Sequence, residues 1–235
     1  QIKITMGKLS AATPQGIPSP TNTNKSFIMN KLKRKTYAFL FCLLLCCTLG
    51  AQNKIQTGDL LFVSLPINYN LSDTTGLTKS MNELNAGKTT ANILHGAILE
   101  VDNDGVWIIN ATLKHGVARY PLDTFLTDFT LPNGMLPRFD IMRLKKDKNA
   151  ALYVLQAKKF VGREYDVDFQ SDNQAQYCSE LVYNAYISPQ GKHLFKEGII
   201  DFSCADGNTP LYWEQLFALI GKKIPNGNRG TLPQT

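Results

Sequence analysis

Histidine is scarce in this chain of 235 residues: there are three, His95, His115 and His193, and no two lie close in sequence. No Cys-x-x-Cys pair occurs, so the clustered ligands of a structural zinc site are missing. A glycine-rich phosphate loop is missing too. The expectation is a protein without metal or cofactor. No apolar run reaches the roughly 20 residues that a membrane-spanning helix needs. Cysteine is nearly as scarce as histidine after Ala51. Three of the five cysteines, Cys42, Cys46 and Cys47, crowd into one early apolar run, which leaves Cys178 and Cys204.

That run belongs to a leader. From Met29 a basic stretch (Lys31, Lys33, Arg34, Lys35) precedes apolar residues from Tyr37 to Leu49, then the small residues Gly50 and Ala51. This is the order and size of a secretory signal peptide. Residues 1–28 are rich in Pro, Ser, Thr and Asn and carry no core-forming pattern, so they read as upstream, disordered sequence. The expected organisation is 1–28 upstream segment, 29–51 signal peptide and 52–235 a single exported domain, periplasmic or extracellular. The small residue that a lipid anchor needs before its cysteine is absent at Cys46 and Cys47, which disfavours anchoring.

Charge must be read with the leader removed. The whole chain has 25 basic and 19 acidic residues, a net charge of +6. Seven of the basic residues and none of the acidic ones precede position 52, so the remainder carries 18 against 19, a net of −1. The basic excess that would point to nucleic acid belongs to the leader, and nucleic-acid binding is excluded on that ground.

In the remainder, short apolar runs alternate with helical patterns. "NILHGAILEV" and "VWIINATL" flank "DNDG" and predict a β-hairpin turning at Asp102 to Gly105. Further strands are expected at Leu60 to Val63 and in "RFDIMRLK". Helices are expected after Pro121, in "NAALYVLQAKKFVG" with Leu152, Leu155 and Phe160 apolar, from Cys178, and in "PLYWEQLFALIG". A short helix is expected in "GLTKSMNELNAG" as well. The class is α+β, with helices on one side of an antiparallel sheet.

Cys178 opens the helix "YCSELVYNAY". Positions three, four, seven and eight later are Leu181, Val182, Ala185 and Tyr186, so the cysteine lies on the apolar stripe in the first turn. Free N–H groups there would lower its pKa and could hold an oxyanion. A core filler fits the same register, and a disulfide to Cys204 is a third reading. His95 sits inside an apolar strand, where an imidazole is either a satisfied core group or a working one. Gly96 beside it marks a close approach. With a turn of two or four residues, cross-strand partners sum to 207. Ala97 then faces Asn110, and His95 and Asn110 are diagonal neighbours on one face. A three-residue loop would separate them. His115 and His193 fall in loops, and Glu100 falls on the opposite strand face from His95.

"TGDLLFV", "HGAILEVDNDGVWIINA", "PLDTFL", "GREYDVDF" and "YCSELVYNAY" together resemble the permuted papain-like amidases of the YiiX type, relatives of the NlpC-type cell-wall hydrolases. The resemblance runs from about Ile55 to Ile187. It implies a circularly permuted papain-like fold, an antiparallel sheet or partial barrel packed against helices. It implies Cys178 as nucleophile, His95 as base and Asn110 as the group that orients His95, with Tyr165 at the pocket or oxyanion site. Members often carry a glutamate where Asn110 stands. The implied activity is a cysteine amidase or peptidase acting on a cell-wall peptide or a lipid-linked amide. An acyltransferase and a non-catalytic envelope-binding module are the alternatives on the same fold.

Overall fold

Alternation of inward and outward side chains lets one sheet carry two cores here. The computed structural model describes residues 2–5, 54–66, 69–71, 91–132, 134, 136–171 and 173–233. The signal-peptide segment and the helix expected in residues 76–87 lie outside them. The strands are β1 (Ile2–Thr5), β2 (Leu60–Pro66), β3 (Ala91–Asp102), β4 (Gly105–Thr112), β5 (Gly116–Pro121), β6 (Arg138–Arg143), β7 (Gly198–Ile199) and β8 (Arg229–Gly230). The helices are α1 (Leu122–Asp128), α2 (Ala150–Lys158), α3 (Cys178–Ala185) and α4 (Leu211–Leu219). Six strands form an antiparallel sheet in the order β1-β6-β2-β3-β4-β5, and β7 pairs with β8. Residues 2–5, expected to be without structure, are therefore an edge strand paired with β6.

The β3–β4 hairpin has a two-residue turn, Asn103 and Asp104, with Asp102 opposite Gly105. Asp102 Oδ1 accepts from the backbone N–H groups of Asp104 and Gly105 and from Trp107 Nε1, which fixes the turn and with it the register. Ile98 faces Ile109, so partners do sum to 207. Beyond that pair the two strands part, and β4 continues its ladder with β5 alone.

Helices cover both faces of the sheet, not one as expected. Leu61, Val63, Leu99, Ile108 and Phe139 pack with Phe125 of α1 and with Trp213 and Phe217 of α4. Leu60, Ile98, Ile109, Ala111 and Val117 pack with Tyr153, Val154 and Ala157 of α2 and with Leu181, Val182 and Ala185 of α3. The sheet is apolar on both sides, so each must be covered. Burying each such Ile or Leu contributes about 1.5–3 kcal/mol. The buried face of α2 is thus set by Tyr153, Val154 and Ala157, while Leu155, expected to face inward, is 59% exposed.

Pro121 and Pro210 precede α1 and α4, where a missing N–H costs no helical bond. Helix α3 is started by tertiary contacts. The Tyr177 N–H donates to Glu180 Oε2 at 3.3 Å, Ser179 Oγ donates to the Thr231 carbonyl at 2.8 Å, and the Thr231 N–H donates to Tyr177 Oη at 3.0 Å. The C-terminal segment is thereby strapped across the first turn of α3. A Cβ on Gly230 would come within 2.4 Å of Tyr177 Oη and 2.8 Å of Ile200 Cδ1, so only glycine fits this crossing.

Gly230→Ala is expected to destabilise the fold by about 1–3 kcal/mol, measured by urea unfolding. Tyr177→Phe, which removes the hydroxyl that would clash, should recover part of that loss in the double variant.

Candidate active site

The parting of β3 and β4 makes the opening that the site occupies. His95 and Asn110 both point to the face that carries α1. The His95 ring lies 5.0 Å from the Phe129 ring and 6.0 Å from that of Phe125. The β2–β3 ladder shifts by one residue there: Val63 faces His95 but Ser64 faces Ile93, leaving Leu94 as the extra residue of a bulge. Helix α3 packs on the other face through Leu181 and Val182, yet Tyr177 belongs to the core of the first. The start of α3 therefore passes through the gap between the strands. Cys178 lies at that crossing, 5% exposed, and the Gly96 backbone N–H reaches its sulfur. The close approach expected at Gly96 is this one.

Burial dominates the protonation of both groups. It pushes the Cys178 thiol above its ordinary value, although the N–H groups of Gly96, Ser179 and Cys178 itself favour the thiolate. The lowered thiol pKa expected from a helix start is thus overridden by desolvation. Burial also holds His95 down to about 3. The resting pair is a neutral thiol and a neutral imidazole.

Asn110 is fully buried, and its amide nitrogen lies 3.3 Å from His95 Nε2. In that pose Asn110 Oδ1 and Tyr120 Oη are both buried without partners. The two ends of an amide have the same shape and are told apart by their neighbours. Tyr120 faces Ile108 and Ala118 faces Asn110 across β4–β5, so Tyr120 is the diagonal neighbour of Asn110. Burial raises the Tyr120 phenol above its ordinary value, with Asn110 nearby opposing that shift. Turned over, the amide instead offers Oδ1 to His95 Nε2–H. His95 Nδ1 is then the free nitrogen.

Tyr165 pairs alongside Gln176 in a parallel bridge. Its phenol is held well above its ordinary value first by burial and then by negative charge on Cys178, which places it beside the cysteine. Tyr212 of α4 is raised by the same two causes. Nothing in "PLYWEQLF" singles Tyr212 out, whereas the β4–β5 register would have pointed to Tyr120.

The other candidates are elsewhere. His115 Nε2 meets Asp128 Oδ2 at 2.7 Å. His193 stacks on Tyr183 at 4.0 Å and bonds the Tyr183 carbonyl through Nδ1. Glu100 is paired with Arg119 and Lys158. Both described cysteines, Cys178 and Cys204, are free, so the disulfide reading is set aside. A cavity of about 310 Å³ adjoins the site through Gly96 and Ser179. Another of about 270 Å³ reaches Leu94, Phe129 and Tyr212. Among the described residues no helix is long and apolar enough to cross a membrane, and no three His, Cys, Asp or Glu side chains gather as metal ligands.

A strand histidine, then an asparagine on the next strand, then a cysteine at a helix start is the chain order that a permuted papain-like site would have. The chain belongs to the family of permuted papain-like amidases, YaeF/YiiX, C92, whose model matches residues 54–235. It is similar to the crystal structure of the metalloprotein YiiX from Escherichia coli O157:H7 (DUF1105), with a TM-score of 0.50 and 23% identity. That likeness covers 76% of this chain and 89% of the other, and it shows the shared fold. No curated protein matches the chain.

Two expectations follow. Burial raises the Glu180 carboxyl to about 8, so it is protonated when folded and releases a proton on unfolding between about pH 4.5 and 8. Its contribution to stability therefore falls as pH rises through that window. His95, depressed from 6.5 to about 3, does the reverse: the unfolded chain takes up the proton, so stability falls as pH drops from about 6.5 to 3. Each slope is at most about 1.4 kcal/mol per pH unit, and the two oppose between pH 4.5 and 6.5. Chemical unfolding of His95→Gln should show stability rising as pH falls across that window, and Glu180→Gln should show the opposite. In ¹⁵N NMR, wild-type His95 should carry its proton on Nε2, and Asn110→Ala should mix in the other tautomer.

Proposed function

We propose that this chain cleaves an amide bond through an acyl-thioester on Cys178. The observation that carries the reading is the placement of buried Cys178 at the start of α3, where the Gly96 N–H favours its thiolate. It seats the thiol next to the strand residue that follows His95, whose Nε2 is faced by Asn110.

With Nε2 engaged, His95 Nδ1 takes the thiol proton as sulfur attacks the carbonyl carbon, and it returns that proton to the departing amine. Water then attacks the thioester with His95 again as base, releasing the acid and the free thiol. Asn110 holds the ring in the tautomer that leaves Nδ1 free. The N–H groups of Cys178 and Ser179 at the helix start, with Tyr165 beside them, are the donors available to the oxyanion.

The candidate substrates are a cell-wall peptide stem and a lipid-linked amide. The secretory pattern of residues 29–51 supports an exported protein that meets them in the periplasm or outside the cell. Passing the acyl group to an acceptor other than water would make the same intermediate serve a transferase.

Incubated with peptide-stem fragments and with N-acyl amides, the full chain should acquire an acyl mass on Cys178 in mass spectra of rapidly quenched samples. Cys178→Ala should abolish the adduct, and His95→Ala should slow its formation on the order of 10²–10⁴-fold. Retained binding in wild type without any adduct or product would make this a binding module.

A further inference from the structure

We infer that the cavity of about 310 Å³ beside Gly96 is the acyl subsite, and that it takes an apolar acyl chain, which selects an N-acyl amide over a peptide stem. This rests on the hydrolase reading of Cys178 and adds to it the nature of the acyl group.

Two residues join the cavity to the reacting sulfur. Gly96, whose N–H favours the Cys178 thiolate, lines it, and so does Ser179, the residue after the cysteine. Most of the walls are apolar side chains from three strands and a helix, Leu60 and Phe62 of β2, Ile93 of β3, Met142 of β6 and Val182 of α3, and the hydroxyl-bearing side chains Ser179, Tyr183 and Thr231 complete them. Lys196 is the one charged residue of the lining and is exposed, which marks the mouth. A peptide stem with several polar or charged side chains would lose its hydration in this space and find three hydroxyls, but no buried charged partner, to replace it. A chain of methylenes loses nothing and gains by burial. A Cβ on Gly96 would lie 3.4 Å from Phe62 Cε1, ordinary contact, so sheet packing does not demand glycine there. Its lack of a side chain keeps the passage between sulfur and cavity open.

The reaction balances without a further reagent. The amide RCO–NHR′ and the Cys178 thiol give RCO–S–Cys178 and R′NH₂, the thiol proton passing through His95 to the amine. Water then gives RCOOH and restores the thiol. R occupies the cavity, and R′NH₂ leaves on the side away from it.

The test compares acetyl and octanoyl amides of 7-amino-4-methylcoumarin, read as coumarin release and as binding to Cys178→Ala. Each buried methylene is worth about a factor of four, so octanoyl, with six more, should be favoured on the order of a thousandfold in kcat/KM and in affinity. Val182→Trp fills the cavity from the helix side and should erase the preference while acetyl turnover persists. Met142→Trp does the same from the strand side and serves if Val182→Trp fails to fold. Turnover without a chain-length preference overturns the subsite and leaves the hydrolase reading standing. No turnover, with an octanoyl preference in Cys178→Ala that Val182→Trp abolishes, supports the subsite and overturns the hydrolase. No turnover and no length-dependent binding overturns both.

Discussion

The contact between the Gly96 N–H and the Cys178 sulfur is where the sheet and the helix that carry the two reactive groups become one site. Strands β3 and β4 are paired only as far as Ile98 and Ile109, and the amide freed by their parting is turned to the cysteine. Had the ladder continued, β4 would have taken up that N–H and closed the gap through which α3 passes. The bulge at Leu94 and the strap from Thr231 to Tyr177 and Ser179 hold the two sides of this opening in place. The site is thus a controlled defect in a sheet apolar on both faces, stabilised by the two cores around it.

Burial governs the electrostatics. Desolvation raises the thiol and lowers the imidazole, and both shifts oppose a resting thiolate–imidazolium pair. The helix start supplies N–H groups without overcoming that penalty. On the mechanism proposed, charge at Cys178 and His95 would be favoured only when a substrate carbonyl brings a developing oxyanion into the same space, where the fixed N–H groups are already oriented. Glu180, two residues along the helix and buried, is held protonated by the same desolvation. Its neutrality keeps a negative charge from standing beside the thiol.

The sequence carried the local parts of this arrangement well. The Asp102–Gly105 turn set the hairpin register, the register placed Asn110 beside His95, and the 3.6-residue spacing from Cys178 identified the buried stripe of α3. Each is decided by neighbours in the chain. What escaped were properties of the assembled core. The second covered face of the sheet, the inward turn of Tyr153 in place of Leu155, and the presence of Tyr212 near the cysteine depend on elements far apart in sequence. The protonation states were misjudged for the same reason: a helix start is visible in a sequence, whereas the depth at which it is buried is not.

Asn110 fits this interior better than a glutamate would. A carboxylate at position 110 would be fully buried opposite an imidazole held neutral, with only the Tyr120 hydroxyl as a further donor. That is an unpaired charge, whose cost runs to several kcal/mol unless it draws a proton or charges the histidine. The amide has no such demand. It can offer an uncharged acceptor to Nε2–H. A glutamate stabilises the imidazolium once formed, whereas the amide fixes the tautomer and leaves the proton to be held by the chemistry itself. The asparagine and the neutral resting pair are therefore two expressions of one constraint, a site dry enough that geometry rather than charge prepares it.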